Sequence, residues 1–128
     1  MKILGDTSVW VDHLRTDEPN LRLLLAKEEI LGHPLLAGEL SVGSIRNRAV
    51  ILRALDRLPQ GLVAKHSEVR QFIELHKLFG RGVGFVDAHL LLSVRLTPET
   101  LLWTRDKRLH AIAAEMSIAY IEPAALTQ

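Results

Sequence analysis

The sequence predicts an α/β fold in which a parallel sheet is covered on both faces by helices. Short apolar runs of strand length alternate along the chain with longer amphipathic patterns of helical period, the alternation of a parallel sheet built from crossover units. At 128 residues the chain has the size of one ordinary domain. No repeat, low-complexity tract or Gly/Ser linker divides it. Sheets of this kind place their ligand sites just beyond the carboxyl ends of the strands.

The elements follow in order. Lys2–Gly5 reads as a short buried strand ending at Asp6. Thr7–Arg15 carries Val9, Trp10, Val11 and Leu14 and reads as a helix opened by a Thr/Ser cap. Pro19–Glu28 is a second helix with Leu21, Leu24 and Leu25 on one face, and Glu29–Gly32 a second strand. Pro34 suits the first turn of a helix running through Leu35, Leu36, Leu40 and Val42. A further helix spans Arg46–Leu58 and stops at Pro59. Leu62–Ala64 is a strand candidate, and Glu68–Phe79 a helix closed by the loop Gly80-Arg81-Gly82-Val83-Gly84. Phe85–Leu96 reads as a largely buried helix, Thr100–Trp103 as a strand, Lys107–Glu115 as a helix, and Ile118–Ile121 as a last short strand.

Composition narrows the function classes. Cysteine is absent, which excludes disulfides and thiolate metal sites and fits a reducing compartment. Asp6 stands where a signal peptide would need an apolar run, and the uncharged apolar stretches are too short to cross a bilayer. A cytoplasmic protein with no membrane partner is therefore expected. The net charge of +1 gives no global basic field, yet eleven of the sixteen basic residues are arginines. Such a balance accommodates an acidic pocket beside a basic rim, although Arg46, Arg48, Arg53 and Arg57 also suit a solvated helix face.

Most acidic residues lie beside other charges, in loops or on outer helix faces. Four do not. Asp6 ends the strand Ile3-Leu4-Gly5, and Glu39 interrupts an apolar run from Leu35 to Val42. Asp87 sits between Phe85-Val86 and Ala88-His89-Leu90, and Asp106 closely follows Leu101-Leu102-Trp103-Thr104. Among the four, only Asp106 has cations adjacent in sequence, Arg105 and Lys107. A buried carboxylate shifts its pKa, pairs with a base or binds a metal. Asp6 and Asp106 fall at predicted strand ends, where they converge on the sheet's crevice; Glu39 and Asp87, placed near helix starts, can be aimed at the same point. Clustered oxygen ligands suit a hard cation such as Mg²⁺ or Mn²⁺, and one or two such ions can activate water against a phosphodiester. The competing reading of each acid is a helix cap or an arginine partner.

These residues fall into an ordered set of motifs. Asp6-Thr7-Ser8-Val9-Trp10 after the first strand, Glu39-Leu40 with Gly43, Gly84-Phe85-Val86-Asp87-Ala88-His89-Leu90, and Thr104-Arg105-Asp106-Lys107-Arg108-Leu109 together resemble the four motifs of PIN-domain nucleases. The closest resemblance is to VapC-type toxins, single PIN domains of about this length. It implies one PIN-like domain over residues 1–128, a three-layer α/β/α sandwich with a mainly parallel central sheet. It also implies a metal-dependent endoribonuclease that forms homodimers and is silenced by a cognate antitoxin. Under the same resemblance Asp6 and Asp87 are the principal ligands of Mg²⁺ or Mn²⁺. Glu39 completes the site or orients water, and Asp106 ligates directly or through water. Thr7 and Thr104 match hydroxyl positions that bond these acids or substrate phosphate. Arg105, with Arg46, Arg53 and Arg81, is a candidate contact to RNA phosphates or unpaired bases. Gly5 departs from the family, which favours a branched apolar residue there, so looser packing of the first strand is expected.

Other features are set aside. His89 lies two positions from Asp87 and so on a different side of a helix, a packed or surface histidine rather than a ligand. The six histidines show no zinc spacing. Trp10 and Trp103 are expected beside the sheet, and Asp12 at the surface. The glycine loop lacks the signatures of a phosphate cradle or dinucleotide site. A phosphotransfer domain would want a second Asp two positions after Asp6, where Ser8 stands. A catalytically silent PIN-fold binding module is the alternative that the motifs leave open.

Overall fold

The computed structural model describes residues 1–123. Three strands, β1 (Lys2–Gly5), β2 (Ile30–Leu31) and β3 (Thr100–Trp103), form a parallel sheet in the order β2-β1-β3. Seven helices surround it: α1 (Thr7–Thr16), α2 (Pro19–Ala26), α3 (Pro34–Ser41), α4 (Arg48–Arg57), α5 (His66–His76), α6 (Phe85–Leu96) and α7 (Lys107–Glu115). The expected α/β class and the helices on both faces of the sheet are observed.

Strand periodicity explains the layering. Successive side chains of a strand point to opposite faces, so Ile3, Ile30 and Trp103 enter one core while Leu4, Leu31 and Leu102 enter the other. The first core takes Val9 and Trp10 of α1, Leu21 of α2, Leu36 and Leu40 of α3 and Leu55 of α4. The second takes Phe72 of α5, Leu90, Leu91 and Val94 of α6, and Leu109 and Ile112 of α7. Two apolar faces on one three-stranded sheet need a helix layer on each side, which is the three-layer sandwich.

Of two further predicted strands, Leu62–Ala64 is not formed and Ile118–Ile121 is reduced to a single bridge. Residue 60, not Leu62–Ala64, makes a bridge just beyond β2, parallel, between Gly32 and Gln60. The next ladder donor on the β2 side would be residue 34, a proline with no amide proton that opens α3, so the ladder stops; the Leu62 amide donates to Thr97 Oγ1 at 2.9 Å. The one bridge of Ile118–Ile121 joins Leu102 with Ala119. Helix ends also move. α5 opens at His66, where the Glu68 carboxylate receives the Lys65 amide at 2.8 Å, and it closes at Lys77 with a left-handed φ of 53°. The second helix ends before Glu28, whose φ is 58°.

Gly5 does not leave the gap expected of it. A Cβ there would lie 3.5 Å from Trp10 Nε1 and 3.6 Å from Val9 Cγ1, so the indole already fills the space a side chain would take.

Candidate active site

Asp6 sits at the carboxyl end of central strand β1, buried at 4% exposure. Its amide donates to the Trp103 carbonyl of β3 at 2.9 Å, which fixes the backbone before the side chain acts. The carboxylate caps α1: Oδ1 accepts from the Val9 amide at 3.2 Å and from the Ser8 hydroxyl at 2.5 Å. The cap is therefore Asp6 itself, and the expected Thr/Ser cap is corrected; Thr7 is the first helical residue. Oδ2 accepts from the Thr104 hydroxyl across the sheet crevice. These are neutral donors. Burial outweighs them and raises the Asp6 carboxyl above its ordinary value.

Asp87, the third residue of α6, is half-buried, and its Oδ2 accepts the Gly84 amide at 2.9 Å. Burial raises its pKa, and the nearby charges of Asp6, Glu39 and Asp106 raise it further. That shared field brings the four sequence-selected acids together. Glu39 is exposed and lies in the second half of α3 rather than near its start; Thr7 Oγ1 donates to its Oε1 at 2.8 Å. Asp106 is exposed and caps α7, accepting the Arg108 and Leu109 amides at 2.9 and 3.1 Å. Its own amide donates to Thr104 Oγ1 at 3.1 Å.

Three of the four acids thus serve local backbone amides, as the capping alternative anticipated. None of the four forms an ion pair among the described residues. Nor do any three His, Cys, Asp or Glu side chains among those residues come close enough to hold a metal ion between them. The charges of Asp6, Glu39 and Asp106 each disfavour ionisation of Asp87, and no counter-charge among the described residues offsets them. An all-oxygen donor set with uncompensated negative charge fits a hard divalent cation that keeps some of its waters.

Two of the four candidate arginines are ion-paired within the chain. Arg105 is enclosed by Asp12, Glu18 and Glu122 rather than turned to the crevice, and Arg81 pairs with Glu115 at 2.6 Å. Asp12 is accordingly an ion-pair partner rather than a free surface acid. Ser8 was not selected from sequence, yet it bridges the Asp6 carboxylate and the Arg105 amide, which donates to its Oγ at 3.0 Å. Its place two residues after a capping acid was the available signal. His89 is packed at 1% exposure, and Trp10 and Trp103 are buried beside the sheet, as expected of all three.

A sequence profile of the PIN domain matches residues 3–115, a span that holds all four acids. The chain belongs to the PIN domain family. It is also similar to the protein named Ribonuclease VapC32 in two strains of Mycobacterium tuberculosis, CDC 1551 / Oshkosh and ATCC 25618 / H37Rv. Each is 48% identical over 120 residues, covering 94% of this chain and 97% of the relative. Of the four acids within the matched span, Asp6 follows β1 and caps α1, Glu39 lies in α3, Asp87 in the first turn of α6, and Asp106 caps α7. No helix among the described residues is long and apolar enough to cross a membrane.

Proposed function

We propose that this PIN-domain protein is a divalent-metal-dependent endoribonuclease and the toxin of a toxin–antitoxin pair. The observation that carries the chemistry is that the charges of Asp6, Glu39 and Asp106 all reach Asp87 while none of the four acids has a cationic partner among the described residues. The similarity to Ribonuclease VapC32 over nearly the whole of both chains supports RNA as substrate. Asp6 and Asp87 are the principal ligands for Mg²⁺ or Mn²⁺, with Glu39 and Asp106 completing the site or orienting water. When bound, such an ion supplies charge neutralisation for the phosphodiester and a water of lowered pKa.

The chain's own residues do the rest. The Thr104 hydroxyl donates to Asp6 and accepts the Asp106 amide, so it sets two acids relative to each other. Ser8 fixes the other oxygen of Asp6. Thr7 holds Glu39 through its carboxylate and orients it over the crevice. No protein nucleophile is needed, since water is the attacking group. The proposed partners are RNA, a cognate antitoxin that covers the acidic crevice, and a second copy of this chain; the proposed compartment is the cytoplasm.

Cleavage of a single-stranded RNA by purified protein, with Mn²⁺ or Mg²⁺ and with EDTA, tests this reading. Metal-dependent products that vanish in Asp6→Asn and Asp87→Asn are expected. Products that survive EDTA or both substitutions overturn it, and no cleavage by metal-loaded protein free of antitoxin would favour the silent binding module.

A further inference from the structure

Arg105 lies between Thr104 and Asp106, on the turn that leaves β3, but its side chain runs away from the acidic crevice. Nη1 donates to Asp12 Oδ2 at 2.8 Å and to Glu18 Oε1 at 2.6 Å. Nη2 and Nε donate to the two oxygens of Glu122 at 2.8 and 3.1 Å. The guanidinium also lies 5.7 Å from the centroid of the buried Trp103 ring, in reach of its π face. One cation thus joins α1, the residue that caps α2, the segment beyond Ala119, and the β3–α7 turn.

Two features argue against a phosphate contact at Arg105. Four of its five N–H donors are committed. Its immediate surroundings also hold three carboxylates against one guanidinium, a balance that repels an incoming phosphate. The hydrogen bonds hold the Glu18 and Glu122 carboxyls below their ordinary values, so these partners stay ionised.

The backbone connects this clamp to the crevice. The Arg105 amide donates to Ser8 Oγ at 3.0 Å, and Ser8 donates to Asp6 Oδ1 at 2.5 Å. Thr104 on one side donates to Asp6 Oδ2, and Asp106 on the other carries the fourth acid. We propose that Arg105 is a positioning residue: its three-carboxylate clamp holds the Thr104–Asp106 turn against Asp6 and thereby sets the geometry of the acidic site. The proposal deepens the nuclease reading, on which its catalytic consequence rests; the geometric part stands without it. A lysine, being a point charge on a flexible stem, cannot reproduce a bidentate grip on Glu122 together with contacts to Asp12 and Glu18.

The test compares the full chain with Arg105→Ala, Arg105→Lys and Glu122→Gln in three measurements. Amide hydrogen exchange of the metal-free protein should show faster exchange at Arg105 and Asp106 in the arginine variants, with the sheet and α6 unchanged. Mn²⁺ binding without RNA, followed by calorimetry, should weaken by about 10- to 100-fold, the usual effect of losing a group that orients ligands. RNA cleavage should lose kcat with KM for RNA little changed, without rescue by Arg105→Lys and with an intermediate effect in Glu122→Gln.

Raised KM with wild-type kcat, Mn²⁺ affinity and amide exchange would instead make Arg105 a phosphate contact and overturn the proposal. Wild-type exchange and Mn²⁺ binding in Arg105→Lys or Glu122→Gln would overturn it even if Arg105→Ala failed to fold. If the wild-type protein cleaved no RNA, the nuclease reading would fall, while exchange and Mn²⁺ binding would still decide the role of Arg105.

Discussion

At the scale of single residues, Asp6 and Asp87 are carboxylates held where ionisation is unfavourable. Burial raises both, so the folded chain binds their protons more tightly than the unfolded chain does. The sign follows: their contribution to stability is present at low pH and is lost as pH rises through the raised values. At neutral pH without metal, Asp87→Asn should therefore melt higher than wild type, and the difference should shrink as pH falls into the carboxylate range. Mn²⁺ at 100 times its Kd should stabilise the wild type by about 2.7 kcal/mol and the variant far less. Scanning calorimetry checks both, and a lower melting temperature for metal-free Asp87→Asn at neutral pH would show that its charge is compensated. Asp6, Glu39 and Asp87 were legible because each interrupts or ends an apolar run, and Asp106 because it closely follows the apolar strand Leu101-Leu102-Trp103. The clamp on Arg105 was not, because Asp12 and Glu18 lie 93 and 87 positions away.

Among the elements, α7 depends on a residue that also belongs to the site. Asp106 accepts two first-turn amides, so removing its oxygen costs a helix cap. Asp106→Ala should lower stability by about 1 kcal/mol, whereas Asp106→Asn retains an acceptor and should stay near wild type in urea unfolding. Both should impair cleavage, and that split separates the cap from the chemistry; equal loss of stability in the two variants would deny the cap its share. Helix α1 shows how far local rules reach. An Asp-Thr-Ser run offers three capping candidates, and only the sheet selects Asp6, by bonding its amide to Trp103. The Leu62–Ala64 run shows the reverse case, apolar enough for a strand but without a ladder because Pro34, the next position beside it, has no amide proton and starts α3.

Over the whole molecule, three histidines from three elements meet beneath α6. His33 precedes α3 and His89 lies within α6, with ring centroids 6.3 Å apart. His66 opens α5, and its Nδ1 lies 2.8 Å from His89 Nε2. His33 is 2% exposed, and burial, followed by the charge of His89, lowers its pKa to about 4. The neutral ring also serves α3, since Nδ1 accepts the Leu35 amide at 3.1 Å. A depressed histidine contributes stability above its unfolded value of 6.5 that is lost as pH falls toward about 4. The full loss amounts to about 3 kcal/mol from a shift of this size. His33→Asn keeps a capping acceptor without a titrating ring, so its urea midpoint should fall less than wild type between pH 7.5 and pH 4.5. An equal fall in both proteins would remove His33 from the acid response.

The sequence by itself determined the α/β class, the three paired strands, the seven helices and the four acids. Each is written locally, in periodicity, in caps, or in a charge among apolar neighbours, and such signals act over a few residues. Tertiary structure alone decided that Ser8 and Thr104 grip opposite oxygens of Asp6, that Arg105 faces three carboxylates, that Leu62–Ala64 forms no strand and that Ile118–Ile121 stops at a single bridge. Those outcomes rest on contacts between distant positions. The energy of a hydrogen bond or ion pair depends on which partner the fold delivers and on how much water it excludes.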